Sequence, residues 1–157
     1  MFKTIALALA ALTLAGCAAT VSPGASRDEA VSRHGRPSAV IALPGGGSRL
    51  QYSTQPEGRT AWMVDLDAAG RVVETRQMLS RAGFARVVPG RWTRDDVYRE
   101  FGTPKSIDHV YSWTGDIMTY RWLDIDERMF FWVYLDPAGV VQKTGVGPDL
   151  DRMLELR

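Results

Sequence analysis

The chain has 157 residues, 45% of them hydrophobic and 24% charged, with a formal net charge of +1. That length makes one medium domain or two very small ones, and the balanced charge lacks the basic excess usual in nucleic-acid-binding proteins. A single cysteine excludes an intramolecular disulfide and a cysteine-based zinc cluster; two histidines, His34 and His109, leave little for a metal site or a catalytic triad. Composition therefore points to a non-enzyme without a metal, a small-molecule substrate or a nucleic-acid partner.

Residues 1–16 read as a secretory signal. Met1-Phe2-Lys3 is positive, Ile5 to Leu14 is apolar apart from Thr13, and small residues follow. The run is too short to span a bilayer as a permanent helix. It ends in Leu14-Ala15-Gly16-Cys17, which resembles the bacterial lipobox. Small residues before the cut fit a narrow peptidase pocket, and the Cys17 thiol is the nucleophile that takes up the lipid. The alternative is an ordinary signal with a chance cysteine near its end. Lipidation would start the mature chain at Cys17, with diacylglycerol and an N-acyl chain as its covalent groups and no other cofactor. Loss of Lys3 would then bring the net charge from +1 to 0. Two or three acyl chains anchor durably where one does not. By resemblance to Gram-negative lipoproteins, Ala18 in place of Asp implies sorting to the outer membrane, facing the periplasm. Residues 17–25 form the lipidated N-terminus and a tether of small residues.

The body of the chain repeats itself. Pro23-Gly24-Ala25-Ser26-Arg27-Asp28-Glu29-Ala30 recurs, with one extra residue, as Pro89-Gly90-Arg91-Trp92-Thr93-Arg94-Asp95-Asp96-Val97. His34-Gly35-Arg36-Pro37 aligns with Phe101-Gly102-Thr103-Pro104, and Val64 to Gly70 aligns with Val133 to Gly139. Matching segments in the same order indicate a duplicated unit, with units at 26–79 and 80–147 and a C-terminal helix or tail at 148–157.

Each unit opens with a helix. Ser26 with Glu29 makes a capping box, and Thr93 with Asp96 a shorter version. Val97, Tyr98 and Phe101 supply an apolar stripe, with Arg94, Arg99 and Glu100 on the outer face. Gly35 and Gly102 end the helices, and Pro37 and Pro104 forbid their resumption. Strands are predicted at 39–43, 49–53, 60–66 and 71–78, then at 107–112, 117–123, 129–135 and 140–143. The joints are short turns, including Asp67-Ala68-Ala69-Gly70 and Asp136-Pro137-Ala138-Gly139. Links this short permit only antiparallel neighbours. The fold class is therefore α+β, as two tandem helix-plus-antiparallel-meander units.

The stretch from Val88 through Thr93, Val97 and Phe101-Gly102-Thr103-Pro104 resembles the BamE (SmpA/OmlA) family of outer-membrane lipoproteins, whose lipobox layout it shares. A tandem pair of such units is similar to the architecture of beta-lactamase inhibitory proteins. Arg91-Trp92 departs from the family's motif, and His34 stands where an apolar residue is expected. The resemblance implies a sheet with one face under helices and one face free, and an envelope protein as partner, drawn from the outer-membrane assembly machinery. The function expected is a non-catalytic interaction factor in outer-membrane assembly or envelope maintenance. The alternative is an inhibitor-like module that docks a periplasmic enzyme.

Alternation assigns the faces. Trp62, Val64 and Leu66 match Phe131, Val133 and Leu135 as the expected core face. The opposite face reads Ala61, Met63 and Asp65 in the first unit and Phe130, Trp132 and Tyr134 in the second. The aromatic set Phe130, Trp132 and Tyr134 is the candidate partner-binding site, because exposed aromatics mark contact surfaces. Against this stands burial of the set between the units or under the C-terminal helix. Arg91 and Arg94, with Arg86 and Arg99, are weaker candidates for contacting anionic lipid head groups, against a solvated face paired with Asp95, Asp96 and Glu100. Asp124, Asp126 and Glu127 lack the spacing of a calcium loop. His34 is placed at a helix end, where an imidazolium is favoured by the dipole, and His109 in a strand.

Overall fold

The structure is a computed structural model that describes residues 21–151. The signal segment, Cys17 and the start of the tether lie outside the described residues, as does the tail from 152 onward. The first unit runs α1 (Arg27–His34), β1 (Ala39–Ala42), β2 (Ser48–Ser53), β3 (Ala61–Leu66) and β4 (Val72–Gln77). The second runs α2 (Arg81–Phe84), α3 (Arg94–Phe101), β5 (Ser106–Asp108), β6 (Ile117–Asp124), β7 (Glu127–Leu135) and β8 (Val141–Pro148). Each set of four strands forms one antiparallel sheet in sequence order, as the short links require.

The duplication extends to single hydrogen bonds. Ahead of each helix a glycine with positive φ donates to the last strand of its sheet, Gly24 to Val72 O and Gly90 to Val141 O, both at 2.7 Å. The first helical residues, Arg27 and Arg94, donate to the turn glycine carbonyls of Gly70 and Gly139. In both turns the leading aspartate, Asp67 or Asp136, accepts two backbone N–H bonds on Oδ1. Both helices exit through a glycine at nearly the same dihedrals, Gly35 at φ 81° and Gly102 at φ 78°, a region that strains residues carrying a Cβ. The caps differ. Thr93 and Asp96 complete the reciprocal box, whereas Ser26 accepts from Glu29 N while the Glu29 carboxylate turns to Arg33.

The layers are α1, first sheet, α2 and α3, second sheet. Ala30 of α1 packs with Leu50, Val64, Leu66 and Val72 on one face of the first sheet. Val97 and Phe101 of α3 pack on Met118, Tyr120, Phe131, Val133 and Leu135 of the second. The Tyr120 hydroxyl donates to Gly102 O at 2.9 Å, tying β6 to the exit of α3. The same core takes in Ala61 and Met63 of β3, both fully buried. Their face of the first sheet therefore lies against the second unit instead of solvent.

This docking corrects the reading of Ala61, Met63 and Asp65 as the face opposite the core. Arg49, 3% exposed, lies directly across from Asp65 and grips it with Nε at 2.6 Å and a terminal nitrogen at 2.8 Å. Its other terminal nitrogen reaches Glu100 at 2.8 Å and the Arg99 carbonyl at 3.1 Å. Gln51 Nε2 donates to the Tyr98 and Arg99 carbonyls, both at 2.9 Å. Tyr98 O also accepts from Gly102 N, whereas Arg99 O is a carbonyl that the helix C-terminus leaves without a backbone partner, so the first sheet helps to cap α3. Glu100, expected on an outer face, is enclosed for that reason. Burial works against the Arg49 charge, but its bonds to Asp65 and Glu100 outweigh that and hold the guanidinium above its ordinary value.

Other expectations also shift. Trp62, assigned to the core, is half-buried. β5 is only three residues long, because the chain leaves the sheet at His109 to form a loop through Asp116. β8 continues to Pro148, past the expected end at Lys143, through Gly145 and Gly147. Pro148 thus closes a strand and residues 149 and 150 are not helical, so the expected tail helix does not start at 148; its remainder from 152 onward lies outside the described residues. The short helix α2 carries none of the patterning singled out in the sequence; Phe84 anchors it by stacking on Phe131 at 3.8 Å.

Candidate functional site: the free face of the second sheet

The second sheet has one face on α3 and the other turned outward. Its register lays two rows across that outer face. Asp108, Ile117, Tyr134 and Lys143 form one, and Ser106, Thr119, Trp132 and Gly145 form the next. Beyond them lie Arg121, Phe130 and Gly147. The pleat sends alternate residues of β7 to this side, so the run Phe130, Trp132, Tyr134 does share a face, as alternation predicts.

The three aromatics are not equally available. Phe130 is 8% exposed, which corrects its assignment to an open patch. Lys105 Nζ lies 5.5 Å from its ring centroid and the Trp132 ring 5.9 Å away. The chain after β8 adds Asp149 and Asp151, which pair with Arg59, Arg121 and Lys105. Burial opposes ionisation of Asp151, but Lys105 and Arg121 prevail and hold its carboxyl below the usual range. Gln55 secures the same corner from the first unit. Its side-chain amide donates to Arg121 O at 2.7 Å and accepts from Arg121 N at 3.1 Å. β5 begins only at Ser106, opposite Thr119, so beside Arg121 the Gln55 amide stands in for the missing strand.

Trp132 and Tyr134 are half-buried and border a cavity of about 360 Å³. Its overhanging wall is Trp113, from the loop between β5 and β6. The Trp113 indole donates to Leu135 O at 2.8 Å and meets Tyr134 edge-on at 5.3 Å. Lys143 Nζ lies 4.6 Å from the Tyr134 ring centroid and 4.9 Å from that of Trp113. Asp108 lines the same cavity beside Thr119. Trp132 lies across β8, where a Cβ on Gly147 would fall 2.7 Å from its ring; the glycine is what gives the indole its place. Rigid aromatic walls of this kind offer large contact area at small cost in side-chain entropy.

The weaker candidates are placed as follows. Arg94 binds Asp116, which also lies 3.2 Å from His109 Nδ1, so Arg94 ties α3 to the loop that carries Trp113. Arg91 is exposed, and Arg99 pairs with Asp96. His109 sits in that loop and not in a strand. His34 packs on Tyr52 at 5.2 Å; burial first and the neighbouring Arg33 second lower its pKa, which disfavours the imidazolium expected at a helix end. Asp124 is taken by Arg81, which holds its carboxyl below the usual range. Among the described residues no cluster of three or more metal-binding side chains occurs, and no helix is long and apolar enough to cross a membrane.

Sequence reasoning did not single out Asp108, Trp113 or Lys143. A tryptophan set among Ser112, Thr114 and Gly115 was the available signal, since a loop rich in small polar residues rarely buries so large a ring without purpose. A wider groove of about 730 Å³ lies between α1 and β1, lined by Arg27, Asp28, Val31 and Arg36 among others, and has no aromatic wall. Comparison with models of known families, with curated proteins and with solved structures returned no match to this chain.

Proposed function

We propose that the protein is a non-catalytic interaction factor of the bacterial envelope that docks a protein partner on the outer face of its second sheet. The observation that carries this reading is the aromatic cavity. Trp132 and Tyr134, half-buried and overhung by Trp113, border one concave surface, and such surfaces are where binding energy concentrates. The lipobox-like Leu14-Ala15-Gly16-Cys17 supports anchoring by lipid on Cys17 at the outer membrane, facing the periplasm. The motifs from Val88 to Pro104 support a BamE-like unit, present twice, and a place in outer-membrane assembly or envelope maintenance.

The test is to cross-link membranes carrying wild-type protein or Trp132→Ala and identify the attached proteins by mass spectrometry. Outer-membrane assembly components captured by the wild type and lost in the mutant are expected. A soluble periplasmic enzyme captured in their place would turn the reading toward an inhibitor-like module. Equal capture by both forms would move the docking site off this face. Cys17→Ala should release the protein from the membrane fraction, and retention there would refute the lipid anchor.

A further inference from the structure

We propose that the cavity receives an arginine side chain of the protein partner, seated between the Asp108 carboxylate and the Trp132 indole; this rests on reading the face as a docking surface. Asp108 is a positioned acceptor. Its Oδ2 takes hydrogen bonds from Ser106 Oγ at 2.9 Å and from Thr119 Oγ1 at 2.7 Å. Thr119 is 3% exposed, so the bond it donates comes from a rigid support. Among the described residues Asp108 has no ion-pair partner, and its Oδ1 is left to a donor from outside.

The aromatic side of the cavity suits a cation. Lys143 Nζ already rests within 5 Å of the ring centroids of Tyr134 and Trp113, the arrangement in which the negative faces of aromatic rings attract positive charge. Lys143 does not serve Asp108. The two occupy opposite ends of one row, three strand spacings or about 14 Å apart at the backbone. Trp132 stands in the adjoining row, next to Thr119. A guanidinium fits this pairing better than an ammonium because it is planar, stacks on indole and donates in its own plane to a carboxylate.

The full chain, extracted in detergent, is titrated with N-acetyl-arginine amide and with N-acetyl-citrulline amide, its uncharged isostere, following the indole N–H signals of Trp113 and Trp132 by NMR. A saturable shift with the arginine probe is expected, at least about tenfold weaker with citrulline. Asp108→Asn should weaken arginine binding about tenfold, and Lys143→Gln should strengthen it by removing a like charge from the lining of the same cavity. Asp108 and Lys143 are both exposed, so an unchanged melting temperature serves as the folding control. Equal shifts with the two probes, or wild-type affinity in Asp108→Asn, would overturn the inference. Failure of the probe together with partner capture through Trp132 would remove the arginine site and leave the docking reading standing. Saturable probe binding with no protein captured through this face would keep the cation site and remove the docking function.

Discussion

Replacing Arg49 with alanine tests whether the two units are held together by one enclosed charge cluster. The guanidinium makes two bonds to Asp65, one to Glu100 and one to the Arg99 carbonyl. The side chains of the three charged partners are 4%, 16% and 13% exposed for Arg49, Asp65 and Glu100. Removing one member of a buried ion pair costs about 3–5 kcal/mol, chiefly by leaving the other charge without compensation. Asp65 keeps Arg76 at 2.9 Å, which favours the lower end, about 3 kcal/mol. For a folded region of this size that lowers Tm by roughly 10 °C. The assay is urea unfolding of Arg49→Ala, Glu100→Ala and the double variant. Because Arg49 and Glu100 belong to different units, the cycle isolates coupling across the interface, expected at about 1.5–3 kcal/mol. A single-variant cost below about 1 kcal/mol, or a coupling near zero, would show that apolar burial of Ala61 and Met63 joins the units without help from the charges.

Gln55→Ala should cost about 1–3 kcal/mol by leaving the Arg121 N–H and C=O without partners; a two-state melt near the wild-type midpoint would contradict this. Gly147→Ala should leave the fold intact but displace the Trp132 ring, which lies 2.7 Å from where the new Cβ would stand, and the indole N–H shift of Trp132 reports it. Asp96 has a lowered pKa: burial opposes ionisation, but bonds from Thr93 and the charge of Arg99 outweigh it. Its contribution is therefore full above the ordinary carboxylate value of about 3.9 and is lost as pH falls through the lowered folded value. Asp96→Asn should accordingly reduce stability at neutral pH and flatten the acid limb of the stability profile, and an unchanged acid limb would show that the capping box is not the titrating element.

Local physics was legible in the chain and the assembly of the units was not. Thr93 and Asp96, Gly35 and Gly102, and the Asp67 and Asp136 turns act within four residues of themselves, so their spacing determined caps, exits and reversals. The repeat reproduced those devices in order, and with them two α+β units of antiparallel strands. Alternation also put Trp132 and Tyr134 on one side of β7. Tertiary structure alone decided that neither side of the first sheet is free. Ala61 and Met63 read as filler on a strand's second face, and only the approach of α3 makes them core. Glu100 read as outer surface, and Arg49 and Gln51 drew no reading beyond their strand, for the same reason: their partners across the interface lie about 50 residues away. The cavity, too, depends on distance in sequence, since Asp108, Trp113, Trp132 and Lys143 meet only when the β5–β6 loop folds back over the sheet. Patterns within a turn or a strand are set by neighbours along the chain, whereas burial and cavities are set by neighbours across it.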